Sequence, residues 1–110
     1  PSAAQEFYIG RPSSLGNPYS HMKGTLAKYK VDTREEAITK YRSWFVDSLA
    51  GSPEVQRTID IIVAAAMRGD VNLICWCKPA ACHGDFIKEF IEDVISRQTK
   101  SRQPHGVQEV

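Results

Sequence analysis

Between Val71 and Asp85 the chain runs from an apolar segment through a cysteine-bearing turn into a helix start, and that order limits what it can fold into. Val71 to Trp76 is apolar at every position except Asn72, with Gly-Asp before it and Lys-Pro after it. A short apolar run between two breakers predicts a central strand buried on both faces. Cys75, Cys77 and Cys82, all the cysteines present, lie at the end of that strand and in the turn beyond. Phe86, Ile87, Phe90, Ile91, Val94 and Ile95 recur at helical spacing, so Cys82-His83-Gly84-Asp85 opens a helix. A helix start leaves backbone N–H groups unpaired and partly positive. It therefore suits an anion, and it favours the thiolate of a nearby cysteine.

The remaining elements complete an α/β pattern. Phe7-Tyr8-Ile9, closed by Gly10, reads as a first strand, and a long loop with Pro and Gly punctuation follows from Arg11 to Gly24. Ala27, Tyr29 and Val31 alternate with lysines and allow a short edge strand. Thr33-Arg34-Glu35-Glu36 is a capping box that starts a helix running to Gly51. Ser52-Pro53 starts a second helix, with Ser as cap and Pro in the first position, and Gly69 closes it. The expected division is one α/β domain over 1–96 and a polar, flexible tail over 97–110. The expected fold is α/β, a small Rossmann-like domain with a short, mainly parallel sheet and flanking helices. If the two main strands are parallel neighbours, their carboxyl ends share one sheet edge. The loop from Arg11 to Asn17 then meets the turn from Cys77 to Asp85, where ligands of open α/β sheets bind.

Composition excludes several classes of function. The longest apolar run, Ile59 to Met67, contains Asp60 and is too short to span a bilayer, so no membrane partner is expected. Pro1 to Glu6 has neither the basic start nor the apolar core of a leader. Three cysteines within eight residues do not resemble a secreted disulfide framework, which favours a reducing, cytoplasmic setting. The net charge is +1, yet Arg11, Lys23, Lys28, Lys30 and Arg34 face the single acid Asp32 in their stretch. A basic segment in a near-neutral chain suggests a localised anionic partner rather than nucleic-acid coating. A solvated lysine-rich loop is the plain alternative. No Walker loop, dinucleotide fingerprint or His-Glu-x-x-His is present.

The second constellation is Arg11-Pro12-Ser13-Ser14-Leu15-Gly16-Asn17-Pro18. Arg11 offers a planar fork of donors for phosphate or carboxylate. Asn17 could read a base or a sugar hydroxyl, or simply bond its own backbone in a turn. The cysteine segment also keeps three readings open. Cys75 can be a core residue while the helix start binds an anion. Cys75, Cys77, Cys82 and His83 can hold zinc, although Cys-x-Cys-x4-Cys-His is not a common structural spacing. Cys82 or Cys77 can be a nucleophile, with His83 or His21 as base. Asp85 fits any of them, since an acid stabilises the first turn of any helix.

Taken together, Tyr8-Ile9-Gly10-Arg11-Pro12-Ser13, Leu15-Gly16-Asn17-Pro18, Arg34-Glu35-Glu36-Ala37, Tyr41-Arg42 and the Cys75-to-Asp85 segment carry a resemblance. The chain resembles a small bacterial and phage domain family of unknown function, marked by the Gly-Asn-Pro motif. The resemblance covers nearly everything but the polar tail. It implies a functional pocket and names no activity. Its expected contacts are Arg11, Ser13, Asn17 and Cys77 for the ligand, and Cys82, His83 and Asp85 for any chemistry. The expected ligand is a small anion of the nucleotide class, bound without a cofactor. A zinc-stabilised module that binds protein or nucleic acid is the alternative.

Overall fold

The structure, a computed structural model, describes residues 4–22, 27–75, 82–99 and 107–109. Strand β1 (Gln5–Tyr8) leads into a loop and a two-residue strand β2 (Tyr19–Ser20), which pairs in parallel with β3 (Tyr29–Lys30). The rings of Tyr19 and Tyr29 stack across this small ladder at 5.2 Å. Helix α1 (Arg34–Gly51) and helix α2 (Pro53–Arg68) follow, then β4 (Val71–Ile74), α3 (His83–Thr99) and β5 (Val107–Glu109).

The main sheet has the order β1-β4-β5, and every pairing in it is parallel. Gln5 faces Val71 and Tyr8 faces Ile74 on one side of β4, while Val71 faces Val107 on the other. Among the described residues the architecture is therefore mixed α/β, with three helices and a small parallel sheet separate from the β2–β3 ladder. Strand β4 alternates, with Val71, Leu73 and Cys75 buried and Asn72 and Ile74 half-buried. The expectation of burial on both faces is thus met fully on one.

Local chemistry explains the helix ends. The Thr33 side chain accepts the Glu36 N–H at 3.0 Å, and the Glu36 carboxylate reaches back to the Asp32 N–H at 2.9 Å. That is the foreseen capping box with its return bond displaced by one residue. Ser52 serves two helices at once. Its side chain accepts the Val55 N–H at 3.3 Å, and its own N–H donates to the Ser48 carbonyl at 2.7 Å.

Ala37, Tyr41 and Phe45 line the buried stripe of α1, and Val55, Ile59, Ile62, Val63, Ala65 and Ala66 that of α2. Ile87, Ile91 and Ile95 of α3 are fully buried, and Phe86 and Phe90 meet the Phe45 ring edge to face. Met67 near the end of α2 is 43% exposed.

The carboxyl-terminal segment differs from its expectation at both ends. Helix α3 continues to Thr99, and Val107–Glu109 form a strand of the main sheet. Val107 is 2% exposed, so its β-branched side chain closes the core beside β4. Among the described residues no helix is long and apolar enough to cross a membrane.

Candidate functional site

The loop after β1 is built from two consecutive turns. The Ser13 N–H donates to the Gly10 carbonyl and the Gly16 N–H to the Ser13 carbonyl, both at 2.9 Å. Tyr8 Oη donates to the Arg11 carbonyl at 2.6 Å, and Ser14 Oγ meets Thr58 Oγ1 of α2 at 2.9 Å. Leu15 is buried, and its carbonyl accepts the Tyr41 phenol at 2.7 Å. Burial holds that phenol well above its ordinary range, and neighbouring Cys82 adds in the same direction, so Tyr41 remains a donor. Gly16 is required by space: a Cβ there would lie 2.9 Å from both Cα and N of Arg11.

Arg11 and Asn17 face each other across this loop. Arg11 Nη1 donates to the Asn17 carbonyl at 2.8 Å. The Asn17 side chain is buried, with Oδ1 accepting the Tyr19 N–H at 2.9 Å and Nδ2 donating to Ala37 of α1 at 3.1 Å. Of its two readings, the backbone-bonding turn is the one these contacts describe. Ser13 Oγ is buried and has no hydrogen-bond partner among the described residues. Arg11 makes no ion pair among them either.

At the other end of the site, Cys82 caps α3 with sulfur in place of the usual hydroxyl. Its Sγ accepts the Gly84 N–H at 3.1 Å, and Asp85 Oδ2 accepts the Cys82 N–H at 3.2 Å. The Asp85 N–H in turn donates to the Cys82 carbonyl at 3.1 Å. This is a reciprocal cap, and it gives three donors of the helix start partners within the chain. A free anion therefore finds less to bind at this helix start than a bare terminus would offer.

His83 is 4% exposed, with Nε2 2.7 Å from the Ile9 carbonyl. A carbonyl can only accept, so Nε2 carries the hydrogen. The Tyr41 ring stands edge-on to the imidazole at 4.9 Å. Sγ of Cys75 and Sγ of Cys82 are 2.9 Å apart, and both residues are buried.

The end of β1 and the start of α3 lie side by side, and Tyr41 stands between the loop and the helix start. The Ile9–His83 bond joins the end of β1 to the first residue of α3, and Tyr41 touches both Leu15 and His83. Cys77 lies outside the described residues. Among the described residues no group of three or more His, Cys, Asp or Glu is placed to hold a metal ion.

Glu109 went unnoticed in the sequence. Its Oε1 lies 2.8 Å from where a Cβ on Gly84 would sit, so a carboxylate from β5 closes over the helix start. The β-branched Val107 just after Pro104 and Gly106 was the available signal for a short strand there.

A short parallel sheet, with a structured loop after β1 and a capped helix start at α3, defines a small mixed α/β domain. The chain belongs to the family described as a domain of unknown function, DUF4326, whose model matches residues 1–93. The matched span takes in the loop, all three cysteines and the α3 start, and it ends before β5. No curated protein and no solved structure matches the chain significantly.

Proposed function

We propose that this chain binds a small anionic ligand, a nucleotide or nucleotide-derived metabolite, at the carboxyl edge of a Rossmann-like sheet in a bacterial or phage-infected cytoplasm. The observation that carries this reading is the state of Arg11. One of its five N–H donors is tied to the Asn17 carbonyl, and no acid among the described residues pairs with it. A guanidinium held in place by one bond has already lost part of its freedom, so its remaining donors suit a bidentate phosphate. The buried, unpartnered Ser13 hydroxyl two residues on supplies a further donor. Tyr8 is 41% exposed and anchored through its hydroxyl to Arg11, which leaves part of a ring for a base to cover.

Titration calorimetry with a nucleotide panel tests the reading. Nucleoside phosphates should bind and the matching nucleosides should not. Arg11→Ala should weaken binding about ten- to a hundredfold, the equivalent of about 1.5–3 kcal/mol for a charge-assisted bond. Equal binding of nucleoside and nucleotide, or an unchanged affinity in Arg11→Ala, refutes it. Cys82, His83 and Asp85 hold the turn through the bonds described above, and any processing of the ligand would fall to them.

The Cys75–Cys82 contact favours a second reading, a zinc-stabilised module for protein or nucleic acid with Cys75, Cys77, Cys82 and His83 as ligands. Metal analysis of the purified chain decides it. About one zinc per chain supports the module, and its absence rejects it.

A further inference from the structure

We infer that Cys75 and Cys82 form a dithiol site that hydrogen peroxide oxidises to an intramolecular disulfide. The sulfurs are 2.9 Å apart, on elements fixed by unrelated forces. Cys75 continues the central strand β4, whereas Cys82 is the cap of α3. That separation lies between the roughly 2.05 Å of a disulfide bond and the roughly 3.5–4.0 Å of ordinary non-bonded heavy atoms. Little further approach is needed for a bond.

The two sulfurs are not equivalent. Cys82 Sγ accepts the Gly84 N–H at 3.1 Å at the start of a long helix, and such a bond strengthens as the sulfur gains negative charge. Cys82 is therefore the attacking sulfur and Cys75 the resolving one. Cys82 is 2% exposed and Cys75 9%, which selects a small, uncharged oxidant over a bulky disulfide.

The steps balance as follows. The Cys82 thiolate attacks one peroxide oxygen, an S–O bond forms and the O–O bond breaks. The departing hydroxide takes up the proton that Cys82 released, giving water and a sulfenic acid. Cys75 sulfur then attacks Cys82 sulfur, the S–O bond breaks, and the leaving hydroxide takes the Cys75 proton as a second water. Two thiols lose two electrons in all, and one peroxide becomes two waters. The product covalently joins the end of β4 to the first turn of α3.

The test uses the whole chain and hydrogen peroxide as probe. After oxidation and an acid quench, the chain is denatured at mildly alkaline pH in excess iodoacetamide, which blocks the remaining thiols. Disulfides are then reduced, and the released thiols are labelled with N-ethylmaleimide. Lys78 precedes Pro79, so one tryptic peptide holds all three cysteines, and fragment ions must place each label. Maleimide on Cys75 and Cys82 with carbamidomethyl on Cys77 is expected, together with an intact mass lighter by two hydrogens. Release of any other pair, or no release, overturns the inference. In Cys77→Ser the two-hydrogen loss should persist at the wild-type rate. In Cys75→Ala dimedone should trap a sulfenic acid at Cys82, and formation of a disulfide there at the wild-type rate would equally overturn it.

Discussion

Replacing Gly16 by alanine should damage this protein, whereas the same change at Gly51 should help it. A Cβ on Gly16 would sit 2.9 Å from Arg11 Cα and N and 3.0 Å from the Gly10 carbonyl carbon. Ordinary contact is about 3.5–4.0 Å, so about half an ångström or more must open. All three opposing atoms are backbone, fixed by the two turns and by the Tyr8–Arg11 bond. Forced overpacking of this kind costs about 1–3 kcal/mol, and the stiffer unfolded chain returns about 0.4–1 kcal/mol.

A net loss of about 1–2 kcal/mol follows, or a Tm lower by about 4–8 °C at roughly 4 °C per kcal/mol for a chain of this length. Nothing lies within 4 Å of a Cβ on Gly51, the last residue of α1. There alanine gains up to about 1 kcal/mol of helix propensity. Urea midpoints at constant m separate the two variants, and thermal unfolding checks them. If both variants stabilise alike, the loop does not fold back on Arg11 as described, and the pre-positioned guanidinium goes with it.

Other changes have equally definite outcomes. Tyr41→Phe removes the 2.7 Å bond to Leu15 and strands a buried carbonyl, so denaturant unfolding should show a loss of about 1–3 kcal/mol. Because burial raises the Tyr41 phenol in the folded state, its contribution is complete below the ordinary value near 10. It declines as pH rises beyond that, when the unfolded chain ionises and the folded one does not. Wild type should therefore lose stability above pH 10 more steeply than Tyr41→Phe, and parallel slopes would contradict the burial. Ser52→Ala removes the side-chain cap of α2 and should cost about 0.5–2 kcal/mol in the same measurement, with an unchanged midpoint as the contrary result.

Much of the fold was legible because its signals are local. Thr33 with Glu36, and Ser52 with Pro53, announce helix starts through bonds spanning three or four residues, and the structure makes those bonds. Strand β5 was not legible, since three residues gain their order from β4 and from the burial of Val107 rather than from any pattern of their own. The pairing of Tyr19–Ser20 with Tyr29–Lys30 was half visible, because the alternation around Tyr29 names one strand and nothing marks its partner. In the site, the nearness of the β1 end to the α3 start followed from the parallel direction of β1 and β4. Asn17 illustrates the opposite case. Its amide could serve a ligand or the chain, and only the distances to Tyr19 and Ala37 distinguish the two. Glu109 reaches Gly84 through the same long-range pairing that hid β5.

The parallel pairing also sets a timetable for the nascent chain. Gln5 must wait for Val71, sixty-six positions later, and Val71 waits a further thirty-six for Val107. At about 5–20 residues per second of synthesis, β1 is without its neighbour for about 3–13 s after it is made. Helices α1 and α2 carry their own caps and can form in that interval, but the sheet cannot. Contacts this distant along the chain slow the search for the native state. The unpaired edge of β1 is thus a liability during translation until β4 arrives to cover it.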